Sequence, residues 1–361
     1  MSSRLRAEHV YKVFGRRPEQ AVERLRKGAD REELRTDGVT AAVIDASFTV
    51  EPGEIFVVMG LSGSGKSTLL RMLNGLLEPT TGTVSFDGQD LAALSAAELR
   101  TLRSRRISMV FQHFALFPHR TVVQNAAYGL EVQGVPRAER ERRATEALAL
   151  CGLEGWETSW PDELSGGMRQ RVGLARALAT DADLLLMDES FSALDPLIRR
   201  EMQDQLLDLQ KTLHKTIVFI THDLNEAMRL GDRIAVMRDG EIVQIGTAED
   251  ILVRPEGEYV ASFIRDVDRS KVLTAASVMD TAPRSDAADC SCPTATPDTP
   301  VEELCALGAR SGHPVAVLDE DGGLVGSVSL ERLAGVIGDI PQDAEAVACD
   351  AGSGDPKGVA A

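Results

Sequence analysis

The residues best suited to chemistry lie in the stretch 60–68, GLSGSGKST. Its glycines leave backbone N–H groups free to face phosphate oxygens, in the spacing G-x-x-x-x-G-K-[ST] that is typical of nucleotide-binding loops. The Lys66 ammonium would reach the β- and γ-phosphates, and the Ser67 hydroxyl would bind Mg²⁺. An apolar run precedes the stretch and a helical pattern follows it, as the spacing requires. We predict a nucleoside triphosphate site, the phosphate loop, formed by Gly60, Leu61, Ser62, Gly63, Ser64, Gly65, Lys66, Ser67 and Thr68.

A second anion-binding pattern occurs much later in the chain, in DELSGGMRQR at 162–171. Ser165, Gly166 and Gly167 come directly before residues with helical spacing. Backbone N–H groups and the helix dipole at such a helix N-terminus favour negative charge. The sequence therefore predicts two phosphate-binding segments at distant positions of one chain.

Two adjacent carboxylates, Asp188 and Glu189, end the apolar run LLLMDE. Carboxylates at the end of a buried strand are costly unless they are used, and a strand that simply leaves the core accounts for one acid better than for two. Asp188 suits a Mg²⁺-binding role beside a nucleotide. Glu189 is then placed to polarise an attacking water.

His222 ends another apolar run, TIVFITH. A single histidine is more often structural than catalytic. The apolar runs before Gly60, Asp188 and His222 are nevertheless all expected to be strands of one parallel sheet. Ligands bind at the carboxyl edge of such sheets, so we interpret His222 as part of the same site.

Helical and strand patterns alternate along most of the chain, which predicts an α/β fold with crossover units. Residues 16–38 read as a charged helical insertion, to which we assign no chemistry. Strands are expected at 4–14, 41–50, 54–60, 183–189 and 216–223, with a hairpin at 80–88. Helices are expected at 68–77, 95–104, 137–151 and 166–179.

Together these motifs resemble the ATP-binding subunit of an ABC transporter over residues 5 to about 255. The motifs are the phosphate loop, Gln112 in MVFQHFALFPH, LSGGMRQR, LLLMDE, SALD at 192–195 and THD. Longer strings such as FSALDPLIRREMQDQL resemble those of quaternary-amine importers that take up glycine betaine and proline betaine. The resemblance implies an ABC-type P-loop NTPase fold, with a mainly parallel sheet, antiparallel β and helical subdomains, and a small C-terminal CBS-like α/β module. One departure is Ser190, where the family usually has alanine.

The resemblance also implies how the two phosphate-binding segments are used. In that family two ATPase subunits pack head to tail, so that the LSGG segment of one subunit holds the γ-phosphate of the ATP bound to the other. Phe14 matches the aromatic residue that stacks on adenine, and Asp195 matches the residue that couples the two sites. The implied γ-phosphate ligands are Ser165, Gly166 and Gly167, the implied Mg²⁺ ligands Ser67, Gln112 and Asp188, and the implied catalytic residues Glu189, His222 and Gln112.

Composition changes near residue 270 and divides the chain. We expect an ATP-binding domain at 1–268, a single CBS-like module at 269–340 with a linker at 281–300, and a disordered tail at 341–361. From Ala275 onward there are 15 acidic and 4 basic residues, so this part is strongly acidic. CBS modules work in pairs, and this chain has room for about one, so a functional pair would need both subunits of a dimer.

The whole-chain composition narrows the function classes. A net charge of −17 argues against nucleic acid as the main partner. No apolar run approaches the ~18 residues that a membrane helix needs, and the N-terminal residues lack the apolar core of a secretory signal. The resemblance therefore implies a peripheral subunit at the cytoplasmic face of the cell membrane. Its partners would be a second copy, a membrane permease and an extracytoplasmic solute-binding protein.

We expect ATP hydrolysis, with Mg²⁺, to power uptake of betaine-type compatible solutes, which is an osmoprotective role. The sequence leaves two alternatives open. One is an importer for another small polar solute such as an amino acid, and the other is a soluble ABC ATPase that moves no solute. Proteins of the latter class usually carry two cassettes in one chain or a long coiled-coil insertion, and this sequence shows neither pattern.

Overall fold

The computed structural model describes residues 4–112, 115–265, 267–281, 292–319 and 321–338. The chain divides into two compact units, with the boundary between Val267 and Asp268. Each unit has its own sheets and helices. Within the described ranges, no helix is long and apolar enough to cross a lipid bilayer.

The strands of the first unit form two sheets. In chain order they are β1 (Leu5–Phe14), β2 (Thr40–Val50), β3 (Ile55–Met59), β4 (Thr81–Phe86), β5 (Gln89–Asp90), β6 (Ile107–Val110), β7 (Leu184–Asp188), β8 (Thr216–Thr221), β9 (Arg233–Arg238) and β10 (Glu241–Gly246). The predicted strands are all present, and the predicted hairpin is the antiparallel pair β4 and β5.

The helices of the first unit connect and cover these strands. They are α1 (Pro18–Arg26), α2 (Arg31–Thr36), α3 (Lys66–Leu73), α4 (Ala96–Arg105), α5 (Val122–Ala126), α6 (Tyr128–Val132), α7 (Arg137–Leu150), α8 (Gly166–Ala179), α9 (Pro196–Leu213), α10 (Leu224–Leu230), α11 (Ala248–Val253) and α12 (Gly257–Phe263).

The larger sheet has the strand order β10-β9-β3-β8-β7-β6. Neighbouring strands run parallel except for β10, which pairs antiparallel with β9 at the edge. Every residue of β3 and β8 is buried, as expected for central parallel strands covered on both faces. The parallel order brings the carboxyl ends of β3, β7 and β8 to one edge of the sheet, as the sequence predicts.

The smaller sheet is antiparallel, with the order β2-β1-β4-β5. It shares a core with the larger sheet, in which the rings of Phe48 and Phe56 stack with centroids 5.0 Å apart. The insertion 16–38 folds as α1 and α2, whose buried Val22 and Leu34 pack against β1 and β2. The predicted helical insertion is therefore a covering layer for this sheet.

The helix after the phosphate loop begins earlier than the spacing predicts. The predicted bounds are 68–77, whereas α3 runs from Lys66 to Leu73. Gly65 is its N-cap, with φ of 105°, a conformation that is open to glycine and strained for other residues. The helix can therefore start directly at Lys66, so that the lysine lies in its first turn.

The second unit is a small α/β module. Its elements are α13 (Ala275–Val278), β11 (Thr294–Ala295), α14 (Val301–Ser311), β12 (Val315–Leu318), β13 (Leu324–Val328) and α15 (Leu330–Gly338). The sheet order is β11-β12-β13, in which β12 and β13 pair antiparallel and the Gly323 N–H donates a 2.6 Å hydrogen bond to Asp319 Oδ1. Half of the predicted linker, residues 282–291, and all of the predicted disordered tail lie outside the described residues.

Candidate functional site

The phosphate loop lies between β3 and α3 and is held against its surroundings by close backbone contacts. A Cβ atom on Gly60 would lie 2.1 Å from the Met237 carbonyl oxygen, and one on Gly65 would lie 2.2 Å from the Ala42 carbonyl oxygen. A Cβ on Gly63 would meet no atom within 4 Å. Gly60 and Gly65 therefore permit close packing of the loop, whereas Gly63 faces open space.

Lys66 is buried at the first turn of α3, with 4% of its side chain exposed. Its Nζ donates hydrogen bonds to the carbonyl oxygens of Gly60 at 2.8 Å and Leu61 at 3.0 Å, and lies 3.9 Å from Glu189 Oε1. Burial lowers the pKa of the ammonium from its ordinary value, while Glu189 and Asp188 oppose this shift. The lysine side chain is thus held by backbone carbonyl groups of the phosphate loop itself.

Ser67 and Asp188 contact each other across the carboxyl edge of the sheet. The Ser67 hydroxyl donates a hydrogen bond of 3.1 Å to Asp188 Oδ1. Burial raises the pKa of the Asp188 carboxyl, and the hydrogen bond from Ser67 opposes that shift. A hydroxyl and a carboxylate oxygen at this distance, next to a phosphate-binding loop, are a donor set that suits Mg²⁺.

Glu189 follows β7 with its backbone in the left-handed region, at φ of 44°. Such a conformation is uncommon for residues other than glycine and often marks a functional site. The Glu189 N–H donates to the Ile220 carbonyl on β8 at 3.0 Å, which fixes the turn. Its carboxylate oxygen Oε2 lies 3.0 Å from His222 Nδ1, a hydrogen-bond distance. The two side chains predicted to share a site are therefore in direct contact.

Gln112 is joined to the residues after β7 through Ser192. Its Nε2 donates to Ser192 Oγ at 3.2 Å, and Ser192 Oγ donates to the Glu189 carbonyl oxygen at 2.8 Å. The intervening Ser190 is fully buried, and its hydroxyl has no hydrogen-bond partner within the described ranges. Gln112 is thus linked to the loop after β7 through the Ser192 hydroxyl.

The helix N-terminus at 165–167 is built as the sequence predicts. Ser165 is the N-cap of α8 and accepts a 3.2 Å hydrogen bond from the Met168 N–H. A Cβ on Gly167 would lie 2.5 Å from Ile198 Cγ2, so this glycine allows α8 to pack on α9. Ser165 itself is exposed. Among the described hydrogen bonds of the chain, none joins this segment to the phosphate loop, so the two segments remain separate clusters within one subunit.

Phe14 and Asp195 lie at the ends of other elements. Phe14 ends β1 with 42% of its surface exposed, and the Lys12 Nζ lies 5.4 Å from its ring centroid. Asp195 is the N-cap of α9 and accepts a 3.1 Å hydrogen bond from the Ile198 N–H. Neither residue touches the Lys66–Glu189 cluster through a hydrogen bond within the described part of the chain.

The spacing of the sequence motifs gives no sign of two further features near the site. A cavity of about 690 Å³ lies against the phosphate loop at Leu61–Ser64 and is lined partly by the insertion, with Arg31 and Arg35. The second feature is Arg199, whose guanidinium contacts both the loop after β7 and the loop after β8. Arg199 lies in the string FSALDPLIRREMQDQL, but the string gives no sign of this role, since both sets of contacts depend on the tertiary fold.

Comparison with known protein families gives two matches. The family model for the ABC transporter matches residues 43–192, and the model for the CBS domain matches residues 275–339. Among solved structures, a dimeric bacterial ABC transporter cassette is 32% identical, with a TM-score of 0.57, and the match covers 68% of this chain and 98% of that one. A second structure of the same cassette, in a post-hydrolysis state with bound ADP and Pi, has the same TM-score at 31% identity.

Curated relatives are more similar still. The glycine betaine transport ATP-binding protein of Bacillus subtilis is 59% identical over 76% of this chain and 66% of its own length. The glycine betaine/proline betaine transport system ATP-binding protein of Salmonella typhimurium is 55% identical over 78% of this chain and 71% of its own length. The trimethylamine N-oxide transport system ATP-binding protein of Pelagibacter ubique is 45% identical over 91% of this chain and 96% of its own length. The predicted fold class is confirmed, and the chain belongs to the family of ABC transporter ATP-binding proteins.

Proposed function

We propose that this chain is the ATP-hydrolysing subunit of an importer for glycine betaine and proline betaine. The observation that carries the proposal is the cluster at the carboxyl edge of the larger sheet, where Lys66, the Ser67–Asp188 pair and the Glu189–His222 pair meet. The solute class comes from the betaine-transport relatives, which are 55 to 59% identical to this chain.

In this proposal the phosphate loop binds the triphosphate of ATP. The backbone N–H groups of residues 60–68 and the N-terminus of α3 supply positive partial charge. Lys66 leaves its two carbonyl partners to contact the β- and γ-phosphates, which replace the backbone oxygens as acceptors. The open space beside Gly63 leaves room for the phosphates. Phe14, whose ring is exposed, would stack on the adenine.

Mg²⁺ fits the Ser67 hydroxyl and the Asp188 carboxylate, which already lie 3.1 Å apart. Gln112, which follows β6, would be the third ligand of the ion. When bound, the ion neutralises charge on the phosphates. By holding the ion, Ser67 and Asp188 would help to orient the phosphates for attack by water.

Glu189 is the proposed general base. Its carboxylate lies 3.9 Å from Lys66 Nζ and would accept a proton from a water that attacks the γ-phosphate. With Nδ1 protonated, His222 donates a hydrogen bond to Glu189 and so orients it. The left-handed backbone of Glu189, tied to β8, keeps the carboxylate at the edge of the sheet.

A second copy of the chain would complete the site. Ser165 is exposed and Gly166 is half-buried at a helix N-terminus that also includes the buried Gly167 and makes no hydrogen bond to the described phosphate loop of the same chain. We therefore expect the N-terminus of α8 to bind an anion that another molecule holds. We propose that it is the γ-phosphate of ATP on the partner subunit, with Asp195 close to the junction of the two copies. The dimeric state of the solved cassette supports this arrangement.

The remaining partners follow from the proposed importer. A membrane permease would carry the solute across the bilayer, a solute-binding protein would deliver it, and this chain would lie at the cytoplasmic face of the membrane. A second candidate solute is trimethylamine N-oxide, because that relative matches this chain over 96% of its own length. Like the betaines, trimethylamine N-oxide is a small zwitterion with a methylated nitrogen.

Uptake by cells that carry the complete transporter tests the proposal. Labelled glycine betaine, proline betaine, trimethylamine N-oxide and an amino acid would be compared, with the wild-type chain or Glu189→Gln. We expect betaine uptake with the wild-type chain and none with the variant. Uptake of the amino acid alone would refute the solute class, and betaine uptake that survives Glu189→Gln would refute the catalytic role.

A further inference from the structure

Arg199 contacts the two loops that carry the proposed catalytic residues. It lies in the first turn of α9, and its Nη1 donates to Asp223 Oδ2 at 3.1 Å. Its Nη2 donates to the carbonyl oxygens of Ser192 at 3.3 Å and Leu194 at 3.2 Å. Asp223 directly follows His222, and Ser192 is bound to the carbonyl of Glu189. One guanidinium therefore spans the loop after β7 and the loop after β8.

Glu226 also joins α9 to the end of β8. Its side chain is buried, with 3% of the residue exposed. Oε2 accepts a 2.6 Å hydrogen bond from Thr221, the residue before His222, and Oε1 accepts one of 3.2 Å from Gln203 on α9. Oε1 also lies 4.0 Å from Arg199 Nε. A carboxylate buried this deeply is costly without partners, and here its partners come from both α9 and the end of β8.

The geometry points to Arg199 as a positioning residue for ATP hydrolysis, which holds Glu189 and His222 in register by tying the loop after β7 to the loop after β8. The inference rests on the proposed function, because Arg199 acts only through Glu189 and His222. It assigns Arg199 no contact with ATP. Arginine suits this task because its planar guanidinium offers five donors in fixed directions. A lysine offers a compact charge that cannot reach one carboxylate and two carbonyl oxygens in the same way.

The competing interpretation is that Arg199 merely joins helices α9 and α10. The chain offers a matched control for this, since Arg229 on α10 pairs with Asp204 on α9 and is similarly half-exposed. Arg229 joins the same two helices but makes no described contact with either catalytic loop. A purely structural role therefore predicts the same consequences for the loss of either arginine.

The experiment measures steady-state hydrolysis of Mg-ATP and the melting temperature of the full chain. For Arg199→Ala we expect kcat to fall by about 10- to 100-fold, the scale on which misplaced catalytic groups lose rate. KM for ATP should stay within about threefold, because the phosphate loop makes no contact with Arg199. Arg229→Ala should keep the kcat of the wild-type chain, with a comparable change in melting temperature. Equal kcat values for the two alanine variants would overturn the inference.

Arg199→Lys keeps the charge and guards against a variant that does not fold. We expect it to melt near the wild-type temperature and to have a kcat between those of the wild-type chain and Arg199→Ala. A lysine variant with full kcat would overturn the inference, because it would show that the guanidinium fork is not needed.

Wild-type and Glu189→Gln chains in the same assay separate this inference from the proposed function. Hydrolysis by the wild-type chain that is lost in Glu189→Gln supports the function, and the Arg199 variants then judge the inference alone. A wild-type chain that does not hydrolyse Mg-ATP would overturn both.

Discussion

At the scale of single residues, the chemistry depends on side chains whose backbones are fixed first. Glu189 lies in a left-handed conformation that a hydrogen bond to β8 maintains, and Lys66 starts a helix because Gly65 caps it. The glycines of the phosphate loop are as specific as the charged residues, since two of them touch backbone oxygens where a methyl group has no room. The site is therefore sensitive to changes that add no charge and remove none.

Replacement of Gly65 by alanine tests this sensitivity. The new Cβ would lie 2.2 Å from the Ala42 carbonyl oxygen, at a φ of 105°, so the loop must move. We expect Gly65→Ala to weaken ATP binding by at least about tenfold, as a loss of ~1.4 kcal/mol in positioning would do. Gly155→Ala is the control, because Gly155 has φ of 88° with no atom within 4 Å of the added carbon. Equal ATP affinity of the two variants, measured by calorimetry, would contradict the account.

At the scale of elements, the segment 116–135 contains both residues that pack in the core and exposed residues that could bind a partner. The sequence predicts that this segment lines a groove for a permease helix, with core packing as the alternative. In the structure it forms α5, α6 and flanking turns, and Val122, Ala126 and Leu130 are buried in the core. The packing explanation therefore holds for these residues. The permease prediction is now restricted to exposed positions such as His119 and Val132.

Cysteine cross-linking in the complete transporter tests the remaining part of that prediction. Val132 is 59% exposed and Val253, on α11, is 52% exposed, so the two valines differ in place more than in accessibility. We expect Val132→Cys to cross-link to cysteines placed in cytoplasmic loops of the permease, and Val253→Cys to remain unlinked. The reverse pattern would show that the permease binds elsewhere.

At the scale of the whole molecule, the chain is two compact units with different compositions. The boundary between Val267 and Asp268 falls where the sequence changes toward an excess of acidic residues. All of the residues proposed to act on ATP lie in the first unit. The second unit has its own sheet and its own apolar core, including Val301, Val315 and Val317. We therefore predict that the second unit regulates the first and adds nothing to the chemistry.

Truncation after Asp268 tests that division. We expect residues 1–268 to hydrolyse ATP at the basal rate of the full chain and to differ only in the dependence of that rate on salt. The acidic part of the chain responds to ionic strength because the Debye length falls from ~10 Å at 0.1 M salt to ~3 Å at 1 M. Loss of ATP binding in the truncated protein, measured at both salt concentrations, would contradict the separation.

The sequence predicts the parts of the site that local patterns encode. The apolar runs before Gly60, Asp188 and His222 indicate strands, and parallel strands in one sheet must end at one edge, so their meeting could be foreseen. The left-handed turn at Glu189 could not, because it depends on a hydrogen bond to a strand that is distant in sequence. The same applies to Arg199, whose acceptors belong to two loops that only the tertiary fold brings together.

We propose that the phosphate loop of one subunit and Ser165 of another bind the same ATP, and ATP-dependent dimerisation is the test of this arrangement. Glu189→Gln removes the proposed base, which typically costs about 10²- to 10⁴-fold in rate, and leaves the phosphate loop intact. In sedimentation with Mg-ATP we therefore expect it to accumulate as a dimer, and to be monomeric without nucleotide.

Adding Ser165→Arg to the same chain places a bulky side chain at an exposed helix N-terminus, where the partner's nucleotide must bind. We expect this double variant to bind ATP still but to sediment as a monomer. A double variant that dimerises with ATP as well as Glu189→Gln does would show that Ser165 is not part of the second phosphate site.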